Sequence, residues 1–557
     1  MTKEYTVADY LLDRLAGLGV DRIFGVPGDF TLGFLDHIEA HPVIRWTGTA
    51  NELGAGYAAD GYARVRGFGV VCTTFGVGEL SAINAIAGAY AEHVPVLQLV
   101  GSPTTATQSA ARPTHHSLGD GDFGHTLRMT AEVTVAQAML STADACAEID
   151  RVLLAMLRAD QPGYLSLPAD VAELPADPPT TEFGDTTPSS DPAALDAFRR
   201  RASEFLAGAA RPVVLADIFV NRVHAEPALH SFLGSSGLRF GSLLWGRRVI
   251  DESNPHFIGT YIGAASAADV RDTFENAERL ITAGVYFTDL ISGFFSERLD
   301  DSRRIDLLPH SAVIAGETFA GVEMIDALAE LEALLPDPGH PDPVPGTAWA
   351  AVDASPTDEP LTQRDLWRIV AASLRPGDTV LADQGTSFYG IGPHRLPHDC
   401  VFIGQPLWAS IGFTLPALLG AGLAAPLRRP VLLIGDGAAQ LTIAELGTLI
   451  AERVPAVIVV VNNAGYTVER AIHGPTSPYN DIAPWNWTAL LPAMGGTETT
   501  AQAFRATTGR EVETAFAKAG ERPEVLTLIE VVTDPLDVPP LLVAVAQAAA
   551  AANSSHA

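Results

Sequence analysis

The run Ile434-Gly435-Asp436-Gly437, followed downstream by Val461-Asn462-Asn463-Ala464-Gly465, constrains this chain more than any other feature. The apolar stretch Val431 to Ile434 ends in Gly-Asp-Gly. A helical stretch follows, and a second apolar run, Val457 to Val461, ends in Asn-Asn. Apolar runs of this length alternating with helices predict parallel strands buried on both faces. Asp436 and Asn463 then stand at the carboxyl ends of neighbouring strands, where open α/β sheets bind ligands. Asp and Asn oxygens suit a hard divalent cation that holds a phosphorylated cofactor. The glycines let the backbone approach a diphosphate, and the N-terminus of the following helix favours its charge. Gly-Asp-Gly alone is common in strand-ending turns. The second half, at the matching strand end, separates this pair from a simple turn.

The rest of the chain repeats the alternation. Tyr5 to Leu18 is helical, and Arg22 to Val26, Val70 to Thr73 and Val96 to Val100 read as strands. So do Pro212 to Ala216, Leu280 to Ala283 and Thr379 to Ala382. No short-period repeat is present. Two polar, Pro-rich stretches, Ala172 to Pro192 and Leu335 to Pro360, read as linkers. They divide the 557 residues into three domains, 1–180, 190–340 and 355–557. The predicted fold class is α/β, each domain a mostly parallel sheet flanked by helices.

An apolar content of 47% supports large cores. The formal net charge of −31 argues against nucleic acid and anionic membranes as partners. It also slows encounter with an anionic substrate unless the cleft is locally basic or polar. Cys72, Cys146 and Cys400 are too few and too scattered for a disulfide framework or a zinc site. The start, Met1-Thr2-Lys3-Glu4-Tyr5, has no apolar signal core, and no run is long enough to span a bilayer. A cytoplasmic location is expected. The Ala-rich C-terminal stretch reads as an amphipathic helix.

Three marks in the first segment complete the picture. Gly25-Val26-Pro27-Gly28-Asp29 ends the first strand, Asn51-Glu52 opens a helix, and His115-His116 sits in a polar loop. Together with the third-segment motif, these resemble the pyruvate decarboxylase and indolepyruvate decarboxylase family of thiamine-dependent enzymes. The resemblance covers essentially the whole chain, continuing through Gln384 to Phe388, Gln405 to Trp408 and Gly465 to Arg470. The last stretch, with Ile472 to Pro475 and Tyr479 to Asp481, is most similar to the 2-keto acid decarboxylases for larger side chains. A His-His pair alone is usually a solvated loop feature; here it favours decarboxylation over the related carboligases.

The resemblance implies thiamine diphosphate and Mg²⁺ as cofactors, with pyrimidine-binding, middle and diphosphate-binding domains in chain order. Asp436, Asn463 and the carbonyl of Gly465 would bind the metal. Gly435, Gly437, Ala438 and Tyr466 would contact the cofactor beside it, and Gln384 and Thr386 from the preceding strand end. Glu52 would hold a proton on the aminopyrimidine ring nitrogen, which calls for a raised pKa supplied by burial. Ile411 would prop the cofactor into its bent form, and the Ala409 backbone would accept from its amine. The family commonly has Gly at position 409; a methyl is expected to be tolerated if φ is negative, and to tighten the pocket.

By the same resemblance Asp29, His115, His116 and Glu469 are the acid–base residues. Phe388, Tyr389 and Val468 match pocket positions, with Leu290, Ile291 and Val545 as further candidates. Val468 is smaller than isoleucine, so the expected substrate is a large 2-keto acid such as phenylpyruvate, indolepyruvate or 2-ketoisovalerate, giving the aldehyde and CO₂. Pyruvate as substrate, and acyloin-forming carboligation, are the alternatives. The family also implies active sites between subunits, a homodimer at minimum and a homotetramer as the expected assembly. The middle domain lacks a nucleotide fingerprint, so no FAD is expected and its role is mainly structural, with regulation as the alternative.

Overall fold

The computed structural model describes residues 4–184, 187–335 and 356–554. The first sheet contains β1 (Arg22–Gly25), β2 (Arg45–Gly48), β3 (Gly69–Thr74), β4 (Val96–Ser102), β5 (Ala136–Met139) and β6 (Gly163–Pro168). All its strands are parallel, in the order β2-β1-β3-β4-β6-β5. Every residue of β3, β4 and β6 is buried, which is why β3 and β4 read as apolar runs; β6, interrupted by Ser166, was not read as a strand. The edge strands β2 and β5 are partly exposed and carry no such run, and the sequence did not announce them.

The middle sheet holds β7 (Val213–Ala216), β8 (Phe240–Ser242), β9 (Phe257–Thr260), β10 (Leu280–Ala283), β11 (Arg304–Leu308), β12 (Ser311–Ile314) and β13 (Glu317–Ala320). Its order is β13-β12-β11-β10-β7-β8-β9. The β11–β12 and β12–β13 pairs are antiparallel and the others parallel.

The third sheet holds β14 (Thr379–Ala382), β15 (Val401–Ile403), β16 (Pro430–Gly435), β17 (Val457–Asn462), β18 (Ala501–Ala506) and β19 (Leu526–Val532). It is all parallel, in the order β15-β14-β16-β17-β19-β18. Strands β16 and β17 are neighbours, so Asp436 and Asn463 do emerge side by side at their carboxyl ends.

The first and third sheets meet through the helices Glu52–Arg66 and Thr414–Ala424. A Cβ on Gly61 would collide with the Ala417 carbonyl, and one on Gly420 with the Ala58 carbonyl. The two glycines therefore set the close approach of the helices.

The first Pro-rich stretch does not hang free. Val7 N donates to the Leu174 carbonyl at 2.9 Å and Ala176 N to the Tyr5 carbonyl at 3.0 Å. Asp191, near its end, caps the helix Pro192–Leu206. Of the second stretch, Leu335 to Pro360, residues 336–355 lie outside the described residues. The three cysteines are free thiols, Cys72 buried and the others partly so. Among the described residues, no helix is long and apolar enough to cross a membrane. The C-terminal helix Pro540–Ser554 buries Leu541, Leu542, Val545, Ala546 and Ala549.

Candidate active site

A cleft opens at the carboxyl ends of β14 to β17. Its floor is the Gly-Asp-Gly turn. Asp436 begins the helix Asp436–Thr442; its Oδ1 accepts from Gly437 N at 2.8 Å and its Oδ2 from Gly465 N at 3.2 Å. The Asn463 amide nitrogen donates to the Gly465 carbonyl at 2.8 Å and to Asp436 Oδ1 at 3.1 Å, and its oxygen accepts from the Thr467 hydroxyl at 3.0 Å. The amide, the carbonyl and the carboxylate thus meet at one point. In an octahedron with metal–oxygen bonds of 2.0–2.1 Å, adjacent ligand oxygens lie about 2.9 Å apart. Turned over, the Asn463 amide would set its oxygen 2.8 Å and 3.1 Å from the other two, a spacing that fits a small divalent cation. Burial pushes the Asp436 carboxyl up to about 6, against the backbone donors and the Arg470 charge that pull it down.

The floor also has room for a diphosphate. A Cβ on Gly435 would meet nothing within 4 Å, whereas one on Gly437 would strike the Tyr466 ring. Gln384 and Ser387, on the opposite lip, each line the cleft with a buried oxygen that has no hydrogen-bond partner, Oε1 and Oγ respectively. Orphaned buried acceptors and hydroxyls of this kind call for a polar ligand. Thr386, Ala409, Ile411 and Ala438 complete this part of the lining.

The loop after β15 corrects one expectation. Ala409 has φ +56°, in the left-handed region. The condition for easily tolerating the methyl is therefore not met, and the residue carries roughly 1–2 kcal/mol of strain. Its surroundings hold it there. Ala409 N donates to the Gln405 carbonyl at 2.9 Å, and Gly412 N and the Thr414 hydroxyl donate to the Asp383 carboxylate at 3.2 and 2.6 Å. From the first domain, the Tyr57 hydroxyl bonds Ser410 Oγ at 2.5 Å. Burial pushes the Asp383 carboxyl up to about 6.

Of the expected pocket residues, Leu290, Tyr389, Val468 and Val545 line the cleft. Phe388 and Ile291 are not among its lining residues. Phe388 is fully buried behind it, its ring 6.0 Å from Phe402 and 5.6 Å from Tyr389, and Ile291 is buried in the same core. Helix geometry explains the first difference, since adjacent residues of Thr386–Ile391 point about 100° apart. The sequence reading missed Leu542, Ala546 and Ala549, which line the cleft beside Val545. Their i, i+4, i+7 spacing along an apolar helix was the available signal.

The remaining expected residues lie at the carboxyl ends of the first sheet, and none of them lines the cleft. Asp29 follows β1, Glu52 opens the helix after β2, and His115 and His116 lie in the segment after β4. Asp29 Oδ2 and His115 Nε2 are 2.9 Å apart. The Phe30 ring stacks on His115 at 5.1 Å, and the two histidine rings meet edge to face at 4.6 Å. One nitrogen or oxygen from each of Asp29, His115 and His116 lies within 4.8 Å of the others. Glu52 is half-buried, behind an N-cap in which the Asn51 side chain accepts from Gly54 N at 2.7 Å. A Cβ on Gly78 would come within 3.3 Å of Glu52 Oε1.

Comparison with known proteins identifies the family and the fold. Residues 5–125, 199–330 and 390–531 match the N-terminal TPP binding, central and C-terminal TPP binding domains of thiamine pyrophosphate enzymes. An alpha-keto-acid decarboxylase of Mycobacterium tuberculosis is 54% identical over 540 residues, covering 97% of this chain and 96% of that protein. The alpha-keto-acid decarboxylase of Mycobacterium leprae is 52% identical, covering 99% and 96%. A solved structure from Mycobacterium smegmatis, described as thiamin diphosphate-dependent, is 19% identical with a TM-score of 0.77, over 96% of this chain and 100% of that one. It shares the fold.

Proposed function

We propose, from the premise that the chain belongs to the thiamine diphosphate-dependent 2-keto acid decarboxylases, that it converts a large aromatic or branched-chain 2-keto acid to its aldehyde and CO₂, with Mg²⁺ as the second cofactor. One observation carries the metal reading. The Asp436 carboxylate, the Asn463 amide and the Gly465 carbonyl converge in a lining whose charged side chains, among the described residues, are Asp436 and Glu469, with no Lys, Arg or His. Two carboxylates repel an anionic diphosphate, and a divalent cation held by these groups would offset that repulsion.

Thiamine diphosphate, when bound, supplies the carbon nucleophile and the electron sink that decarboxylation needs. Glu52 holds a proton at the pyrimidine ring nitrogen. The Ala409 carbonyl and Ile411 orient the cofactor's amine and ring. Leu290, Val468, Ile472 and Leu542 shield the substrate carboxylate from water. Glu469 delivers a proton to the carbon that loses CO₂. Asp29 and His116 move the proton that releases the aldehyde, and His115 orients Asp29 through their hydrogen bond. Short side chains at Val468, Val545, Ala546 and Ala549 support a substrate larger than pyruvate.

The catalytic groups fall in two places on the chain. The cleft is lined from the middle and third domains, and the Asp29, Glu52, His115 and His116 set lies elsewhere. A second copy of the chain, related by two-fold symmetry, would bring its first domain over this cleft. A homodimer is then the smallest active unit, and a homotetramer the expected one.

The test is aldehyde production, coupled to alcohol dehydrogenase, from pyruvate, 2-ketoisovalerate, phenylpyruvate and indolepyruvate, with and without thiamine diphosphate and Mg²⁺. Cofactor-dependent turnover of the larger acids is expected. A preference for pyruvate would overturn the substrate reading. Acyloin in excess of aldehyde would indicate a carboligase.

A further inference from the structure

The helix Thr467–Ile472 brings Val468 and Glu469 to the cleft. Its next residue, Arg470, turns away and is buried, with 5% of its side chain exposed. Arg470 Nη1 donates to the Asn463 carbonyl at 3.1 Å and Nη2 to the Ala464 carbonyl at 2.8 Å. Nη2 also pairs with Asp481 at 2.8 Å. One guanidinium therefore grips two successive carbonyls of the turn that presents Asn463 and Gly465.

That turn needs holding. Ala464 has φ +55° and Gly465 φ +139°, and an alanine does not rest in the left-handed region unaided. On its far side Tyr466 N donates to the Asn480 carbonyl at 2.9 Å. Arg470 closes the near side, using the carbonyls of Asn463 and Ala464 and leaving that of Gly465 to a metal. A planar guanidinium can donate to two carbonyls at once in a fixed fork; an ammonium cannot reproduce that geometry. The Asp481 carboxylate is 65% exposed, and ion pairs with such exposed groups contribute little. The grip on the carbonyls is the substance of the contact.

We propose that Arg470 is a positioning residue that makes the metal turn and the Glu469 helix a single unit, so that metal affinity and the seating of that helix depend on each other. The inference rests on Asp436, Asn463 and Gly465 being the metal ligands. It predicts a sign that simple electrostatics does not. A cation beside a cation site repels the metal, so removing Arg470 should tighten binding if charge alone matters. If Arg470 positions the turn, removing it should weaken binding by about 10–100-fold, as losing an outer-shell partner does.

The experiment measures the Kd of Mn²⁺ for the full chain with saturating thiamine diphosphate, by electron paramagnetic resonance. Wild type, Arg470→Met, Arg470→Lys and Asp481→Asn are compared. A second readout is hydrogen exchange of residues 467–472 with and without Mn²⁺. The expected results are weakened binding in Arg470→Met, an intermediate value in Arg470→Lys, and Asp481→Asn within about twofold of wild type. Mn²⁺ should slow exchange of the helix in wild type and not in Arg470→Met. Equal or tighter binding in Arg470→Met overturns the inference. If that variant does not fold, wild-type affinity in Arg470→Lys does the same. No Mn²⁺ binding by wild type itself would instead sink the metal reading, and this inference with it.

Discussion

The first and third sheets are the same scaffold used in two ways. Matched place by place, β2-β1-β3-β4-β6-β5 and β15-β14-β16-β17-β19-β18 follow one order. The segments after corresponding strands carry different chemistry. Asp29 follows β1 where Gln384 follows β14, and Glu52 follows β2 where Ala409 and Ile411 follow β15. Gly76 follows β3 where Asp436 follows β16, and the His-His segment follows β4 where Asn463 follows β17. The third-sheet groups are sunk, with Asp436 1% and Asn463 2% exposed. The first-sheet groups stand open, with half of the Asp29 side chain and 58% of that of His115 exposed. A buried carboxylate beside two carbonyl-type oxygens suits a fixed cation. An exposed Asp–His pair suits moving protons, but only once another surface excludes water from it.

The sharpest way to break this division is at Glu52. Glu52→Gln should lower kcat by about 10²–10⁴-fold while cofactor binding, followed by tryptophan fluorescence, persists. Asp436→Asn should do the reverse, weakening Mg²⁺-dependent cofactor binding by at least about 10–100-fold in a titration of the apoprotein. If both variants lose cofactor equally, the two halves do not divide the work as described.

Smaller effects probe how the third-sheet half is held. Ala409→Gly should raise the unfolding midpoint, by about 1 kcal/mol in stability, because glycine accepts φ +56° without the methyl clash. An unchanged or lower midpoint would mean that the loop stores no strain there. Asp383 gives the smallest effect. Its folded pKa of about 6 lies above the ordinary carboxyl value. Its contribution is therefore full at pH below about 4 and lost as pH rises through about 6. The change in urea midpoint between pH about 4 and about 6 should include a fall in wild type that Asp383→Asn lacks.

What could be read from the sequence follows from where each signal resides. Gly435-Asp436-Gly437 and Asn462-Asn463 were legible because side-chain type and strand end are both local. The Asp29–His115 bond joins residues 86 apart, so their meeting came from family resemblance and not from pattern. Strand order leaves no mark in local periodicity, which is why the duplicated topology of the two sheets went unseen. The loop around Ala409 is tied by Gln405, Asp383 and Tyr57, from three separate parts of the chain, so its φ leaves no local pattern. Phe388 and Tyr389 were indistinguishable as an aromatic pair until the helix direction turned one inward.

The measurement that bears most directly on the two-half account is complementation between inactive variants. Glu52→Gln and Asp436→Asn chains would be co-expressed and assayed as a mixture. In a mixed dimer with sites between subunits, one site receives both altered residues and the other receives neither. Half of randomly formed dimers are mixed and each has one intact site, so about a quarter of wild-type activity should return. A mixture no more active than the two variants alone would contradict the account, placing all the catalytic groups of each site on one chain.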